Sequence, residues 1–323
     1  MALETLEFEE PIAVLLKEID ALMLLPHTDA RDREIESLNR RIESVRAELY
    51  RSLTPWQRVQ VARHPSRPGL EDFIQRLFSG FVEIHGDRRF ADDHAIMTGF
   101  AEYKDQPVLV LGHVKGGDTK EKIFRNFGYS RPEGYRKALR AMRLAEKFHR
   151  PIVVFVDTPA AFPGIESEER GVAEAIAVNL REMMLLDTPI VVIISGEGGS
   201  GGALGIAVGD RVLMQEFSIY SVIPPEGCAA ILWRDAAKKV VAAEALKLTA
   251  PDLLKADLID EIIPEPVGGA HTNPGAAADL VDGVLGRVLG EVRAIDSETR
   301  LARRYDKFRN MGRLGIDFIE EGS

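Results

Sequence analysis

Two uninterrupted apolar runs constrain this chain more than any other feature. Pro151-Ile152-Val153-Val154-Phe155-Val156 ends in Asp157, and Pro189-Ile190-Val191-Val192-Ile193-Ile194 ends in Ser195. Neither alternates with polar residues, so each reads as a strand buried on both faces. Helical periodicity lies between and around them, from about Pro132 to His149 and from Glu168 to Leu186. Upstream, Ile96 to Tyr103 and Pro107 to Val114 predict a hairpin turning at Lys104-Asp105-Gln106. Short strands are expected near Val212 and Ile219, a short helix at Gly201 to Val208, and helices toward the end.

The first ~55 residues are of a different kind. Ile35, Leu38, Ile42, Val45 and Leu49 recur at helical spacing among charged residues, an amphipathic stripe about two heptads long. Such a stripe needs a partner, and the expectation is that it clasps another chain. Thr54-Pro55-Trp56-Gln57 then carries an N-cap, a first-turn proline and a capping-box glutamine. His64 to Gly69 reads as a linker. The expected division is a helical arm over 1–64, an α/β domain over 65–296, and a C-terminal helix and tail over 297–323.

Composition narrows the function classes. A net charge of -10 argues against general nucleic-acid binding. Charge is unevenly spread, however: Lys115 to Arg150 holds eleven Lys/Arg against four Asp/Glu, which suits either a solvated helix face or attraction for an anion or acidic partner. The single cysteine, Cys228, excludes an internal disulfide and a cysteine-based zinc site. The acidic N-terminus resembles neither a signal nor a transit peptide. No apolar run approaches the ~18 residues of a membrane span. A cytoplasmic location is expected, with no membrane and no nucleic acid required.

The densest chemical signal follows the second apolar run. Gly196-Glu197-Gly198-Gly199-Ser200-Gly201-Gly202-Ala203-Leu204 fits three motifs at once. As G-x-G-x-x-G, with Glu216 twenty residues on, it reads as a dinucleotide loop, although such loops normally follow the first strand of their domain. As G-x-S-x-G it makes Ser200 a nucleophile, with His271 the only later histidine. As a glycine pair opening a helix it offers free backbone N–H groups to one developing oxyanion. A loop that merely packs within a non-catalytic assembly subunit is the fourth possibility. Packing explains one or two glycines more easily than six.

The same loop resembles the signature of the carboxyltransferase alpha subunits of bacterial-type acetyl-CoA carboxylases. So do Gly112-His113-Val114-Lys115-Gly116-Gly117-Asp118-Thr119-Lys120-Glu121-Lys122, Pro132-Glu133-Gly134-Tyr135-Arg136-Lys137-Ala138, Asp157-Thr158-Pro159 through Pro163-Gly164, Tyr220-Ser221-Val222-Ile223, and Ile262 through His271. These motifs span roughly residues 80 to 275. Two departures stand out. Ala160 replaces a usual glycine, and Ile165-Glu166-Ser167 is bulkier and more acidic. Alanine at 160 would be strained if the backbone there required φ > 0.

This resemblance implies an α/β, crotonase-like ββα superhelix with an N-terminal helical arm. It implies a subunit that works with a beta subunit, in an α2β2 assembly, to move the carboxyl group from carboxybiotin to acetyl-CoA, or to propionyl-CoA or another acyl-CoA. Further implied partners are the biotin carboxyl carrier protein and biotin carboxylase. Carboxybiotin is then a co-substrate, no cofactor or metal belongs to this chain, and zinc sits on the beta subunit alone. Gly201 and Gly202 become the oxyanion donors, with Gly198 and Gly199 shaping the turn and Thr158 and Ala160 as neighbouring candidates. Lys115, Lys120, Lys122 and Arg125 are candidates for CoA phosphates or the carrier. His113, inside a strand pattern, is expected to be a core histidine.

Overall fold

A computed structural model describes residues 5–312, so the expected tail lies largely outside the described residues. The two apolar runs become β4 (Ile152–Thr158) and β5 (Ile190–Gly199) at the centre of an eight-stranded sheet. The other strands are β1 (Ser79–Glu83), β2 (Ile96–Tyr103), β3 (Gln106–His113), β6 (Arg211–Gln215), β7 (Ile219–Ser221) and β8 (Glu261–Ile263). Their order is β1-β2-β3-β4-β5-β6-β8, with β7 paired to the far end of β5. β1–β2 and β2–β3 are antiparallel, and every pairing from β3 onward is parallel. The β2–β3 turn needs only Lys104 and Asp105, both at positive φ (49° and 60°), as a two-residue hairpin turn requires.

Helices supply both covers. The arm comprises α1 (Glu10–Met23), α2 (Asp29–Arg51) and α3 (Pro55–Ala62), and α4 (Leu70–Leu77) follows. Next come α5 (Thr119–Phe124), α6 (Pro132–Lys147), α7 (Ile165–Glu169) and α8 (Val172–Leu185). The single helix expected over 168–186 is split by Gly171, whose φ of 76° no right-handed helix accommodates. After β5 lies α9 (Ser200–Leu204), then α10 (Pro225–Trp233), α11 (Lys239–Leu246), α12 (Ala250–Lys255), α13 (Pro274–Arg293) and α14 (Ser297–Asn310).

The two-face burial follows the pleat. Ile152, Val154, Val156, Ile190, Val192 and Ile194 meet α6 and α8 through Tyr135, Met142, Ala175 and Met183. Val153, Phe155, Val191 and Ile193 point the other way, toward Phe73 of α4 and Val281, Leu285 and Val288 of α13. No helix among the described residues is long and apolar enough to cross a membrane.

The arm corrects an expectation. Its stripe does not wait for another chain: Leu38, Ile42, Val45 and Leu49 pack against Ile12, Leu15 and Ile19 of α1, so α1 and α2 form their own hairpin. Tyr50 then anchors α2 to the body. Its ring meets Phe217 edge-on at 5.5 Å and Phe8 at 5.8 Å, and its hydroxyl donates to Glu9 Oε1 at 2.7 Å. The capping box at Thr54 forms as expected, with Thr54 and Gln57 exchanging side chain–backbone bonds. Tyr50→Ala should therefore cost about 3 kcal/mol as buried ring contacts vanish, whereas Tyr50→Phe should cost only about 1 kcal/mol for the lost hydrogen bond. Urea unfolding midpoints of the two variants check this ordering.

Candidate active site

The carboxyl ends of β3, β4 and β5 converge, and each delivers a charged residue: Lys115 just beyond β3, Asp157 near the end of β4, and Glu197 within β5. Lys115 Nζ lies 2.6 Å from Asp157 Oδ1 and 2.9 Å from Glu197 Oε1. Arg63, which closes α3, places Nε 2.7 Å from Glu197 Oε2 and Nη1 2.7 Å from Glu226 Oε1 of α10. Burial would raise the Glu197 carboxyl, but Lys115 and Arg63 outweigh it and hold the group at about 2. Burial would likewise lower Lys115, but the two carboxylates more than offset it and raise its affinity for the proton. A second ionic knot lies behind. Arg67, buried, meets both oxygens of Glu265 at 2.6 and 3.0 Å and donates to the Ser195 carbonyl at 2.6 Å, fixing the strand just before the loop.

This frame explains most of the glycines. A Cβ on Gly196 would stand 2.3 Å from Asp157 Oδ1, one on Gly198 2.6 Å from the Tyr220 ring, and one on Gly199 1.9 Å from the Pro159 carbonyl. On Gly202 it would meet Ala161 N at 2.3 Å and Ala160 C at 2.4 Å. The loop after β5 is thus pressed backbone to backbone against Thr158–Ala161. Gly201 differs, because its Cβ would find only ordinary contact with Ile176 at 3.6 Å. Packing accordingly requires more of these glycines than the one or two expected.

The turn itself falls on Ser200, at φ 51°, and α9 starts there. Ala160 is not among the residues at positive φ, so the strain anticipated at that position is absent and resides at Ser200 instead. The N–H groups of the first helical turn have no intrahelical acceptor. Two carbonyls that set the local peptide planes are pinned: Gly201 O accepts from Gly205 N–H at 2.9 Å, and Gly202 O accepts from Tyr135 Oη at 3.2 Å. Asn179 Nδ2 links the same pair of helices, donating to the carbonyls of Tyr135 and Gly205.

Other predicted residues take assorted places. Thr158 is fully buried, and its hydroxyl donates to the Gly128 and Ala160 carbonyls, bracing the strand end. Lys115 serves the ionic frame. Arg125 is bound to Glu71 at 2.7 Å and to the His94 carbonyl. Lys120 is exposed, and Lys122 rims a polar cavity of about 360 Å³. His113 is buried as expected, and burial together with the Lys115 charge pushes it down to about 3, so it is neutral at pH 7. Sequence reading missed Arg63, Asp157, Glu197 and Glu226. Charged residues closing apolar strands were the available signal.

The competing motif readings lose their geometry. Gly196 and Gly198 lie inside β5, and Gly198 is paired with Tyr220 of β7, so they form no phosphate-cradling loop. His271 stacks on His64 at 3.9 Å and packs near Tyr50 beneath the arm, engaged away from Ser200. Among the described residues no cluster of three or more His, Cys, Asp or Glu could hold a metal ion.

Comparison with known proteins shows the family and the fold. A family described as acetyl co-enzyme A carboxylase carboxyltransferase-like matches residues 5–312. The acetyl-coenzyme A carboxylase carboxyl transferase subunit alpha of Geobacter metallireducens is 55% identical over 96% of this chain and 98% of its own length. That of Halalkalibacterium halodurans is 52% identical over 95% of each. Among solved structures, the transcarboxylase 12S core superposes with a TM-score of 0.55 at 17% identity, covering 69% of this chain and 42% of that one. A Pseudomonas malonate decarboxylase hetero-tetramer in complex with coenzyme A gives 0.55 at 19% identity, covering 68% and 90%. These structures share the crotonase-like α/β fold seen here.

The ionic frame makes two testable statements. Lys115→Met leaves Asp157 without its cation, beside Glu197, which keeps only Arg63. Because the lysine side chain keeps 24% exposure, the expected loss is about 2–3 kcal/mol, below that of a fully enclosed pair. A carboxylate held low in the folded state stabilises above its ordinary pKa and loses that contribution as the pH falls. Wild type should therefore lose stability between pH 4.5 and about 2 more steeply than Glu197→Gln. Urea midpoints at pH 5 and pH 3 measure the difference.

Proposed function

The chain belongs to the family of acetyl-CoA carboxylase carboxyl transferase alpha subunits, a premise from which we propose that the backbone amides of Gly201 and Gly202 hold the ureido oxygen of carboxybiotin. As an alpha subunit it acts with a beta subunit as a transferase, moving the carboxyl group from carboxybiotin to acetyl-CoA and so supplying malonyl-CoA for fatty acid synthesis. The observation that carries the donor assignment is the close seating of Gly202 on Ala160–Ala161 at the opening of α9. The first-turn N–H groups there have no intrahelical acceptor.

The chemistry asks for little more. Carboxybiotin breaks its N–C bond to release CO2, and the negative charge left behind spreads onto the ureido oxygen. Two preorganised N–H donors at that oxygen lower the barrier by a few kcal/mol. The biotin anion then takes a proton from the acetyl methyl group, and the enolate carbon attacks CO2, giving malonyl-CoA and neutral biotin. Positioning supplies the remaining rate, since three reactants become neighbours.

In this reading the beta subunit carries the zinc and the donors for the thioester oxygen, in an α2β2 assembly. Biotin arrives on the carrier protein after ATP-dependent carboxylation by biotin carboxylase. Exposed Lys120 and cavity-rimming Lys122 are our candidates to meet CoA phosphates or the carrier, with no cofactor resident on this chain. The lone buried Cys228 accords with zinc on the partner. Exposed Val222, Ile231, Leu232, Val240 and Val241 give an apolar surface suited to a subunit contact.

Two substitutions separate amide from hydroxyl chemistry in the reconstituted alpha–beta complex. Gly202→Val should lower kcat/KM on the order of 100-fold or more as the amides are displaced, while Ser200→Ala should retain turnover within a few-fold. Beta binding and the unfolding midpoint are measured alongside. Abolished turnover in Ser200→Ala with folding and assembly intact would contradict the amide assignment.

A further inference from the structure

Between α6, α8 and the segment that joins β1 to β2 lies a cavity of about 460 Å³. Six arginines line it: Arg88 and Arg89 from the joining segment, Arg136, Arg140 and Arg143 from α6, and Arg181 from α8. The only carboxylates in the lining are Asp87 and Glu174. Half of these arginines belong to the basic stretch that runs from Lys115 to Arg150, and the amide chemistry makes no use of them.

The charges do not cancel. Asp87 Oδ2 takes Arg136 Nε at 2.8 Å, and Arg143 and Arg181 share the carboxylate of Glu182, each at 2.7 Å. Arg88 and Arg89 are exposed, and among the described residues neither forms an ion pair. Arg140 bonds to backbone alone: its guanidinium donates to the carbonyls of Gly86 and His85 at 2.9 to 3.1 Å. Burial, and then the nearby charge of Arg88, weaken the hold of Arg140 on its proton. An anion between the two would relieve that repulsion. A cleft lined by one sign of charge concentrates counter-ions, and guanidinium forks match the paired oxygens of phosphate.

The wall is built in advance. Asp87 Oδ1 accepts the backbone N–H groups of Arg89, Phe90 and Ala91 at 2.9, 2.7 and 3.1 Å, which closes the turn that presents Arg88 and Arg89. Binding there orders little backbone. The floor adds a second requirement. Asn179, 1% exposed, spends Nδ2 on the carbonyls of Tyr135 and Gly205, while its Oδ1 has no hydrogen-bond partner. A buried acceptor of this kind asks for an O–H or N–H donor. It favours a small ligand that reaches below the arginines over the acidic surface of a protein, which would stay at the exposed rim.

We propose that this cavity binds a small organic ester carrying two or more phosphates, with the phosphates on Arg88, Arg89, Arg140 and Arg181 and a ligand hydroxyl on Asn179. The volume suits a molecule of sugar size.

The test is calorimetric titration of the alpha–beta complex with fructose 1,6-bisphosphate and glucose 1,6-bisphosphate, beside inorganic phosphate and fructose. At least one bisphosphate should bind with a Kd below about 1 mM, with phosphate and fructose about tenfold weaker or more. Arg88→Gln combined with Arg89→Gln should weaken bisphosphate binding about tenfold, as charged hydrogen bonds are lost. Arg181→Gln, a separate variant at a side chain that is 70% exposed, should weaken it several-fold. Urea midpoints and the KM for malonyl-CoA should stay at their wild-type values in both. No binding of either bisphosphate, or binding unchanged in both variants, would overturn the proposal. So would displacement of the bisphosphate by malonyl-CoA, which would give the cavity to the phosphates of the substrate. Weaker beta binding in the variants, with no bisphosphate bound by wild type, would make it a protein contact and overturn the proposal equally.

Discussion

Lys115, bridged between Asp157 and Glu197, is the interaction on which the rest of this site depends. Charges taken from water need partners at close range, and here each has at least one. The same bonds tie together the ends of β3, β4 and β5, the close of α3 through Arg63, and α10 through Glu226. Asp157 also accepts the Glu197 backbone N–H at 2.8 Å, so the strand carrying the loop is held by charge and by a backbone hydrogen bond at once. Once these ends are fixed, the approach of the loop to Thr158–Ala161 leaves no space for side chains at Gly199 and Gly202, and the Asp157 carboxylate leaves none at Gly196.

Rigidity of this kind suits a reaction that asks for positioned dipoles. Amides that must reorient cost energy at the moment charge develops, whereas amides held by packing do not. Tyr135 and Asn179 extend the constraint into the helical layer.

Much of the architecture was legible because its signals are local. The two apolar runs gave the two-face-buried strands, the Lys104–Asp105 turn gave the hairpin, and Thr54 and Gln57 gave the start of α3. The splitting of α7 from α8 depended on the conformation of Gly171, which composition does not reveal. β1 and β8 are short edge strands whose existence depends on neighbours distant in sequence. The stripe of α2 was legible but its partner was not, because Ile12, Leu15 and Ile19 lie in a separate helix and nothing in their spacing says which surface they cover. Lys115 illustrates the remaining limit. As a basic residue in a basic stretch it suggested phosphate binding, and only the fold reveals that Asp157 and Glu197, 42 and 82 residues away, already neutralise it.

The central claim is that backbone amides, and not a side chain, hold the oxygen on which charge develops. A structure of the alpha–beta complex with bound biotin tests it most directly. The account predicts the ureido oxygen at about 2.9 Å from the Gly201 and Gly202 nitrogens. A ureido oxygen held instead by the Ser200 hydroxyl, or seated away from this loop, would contradict it.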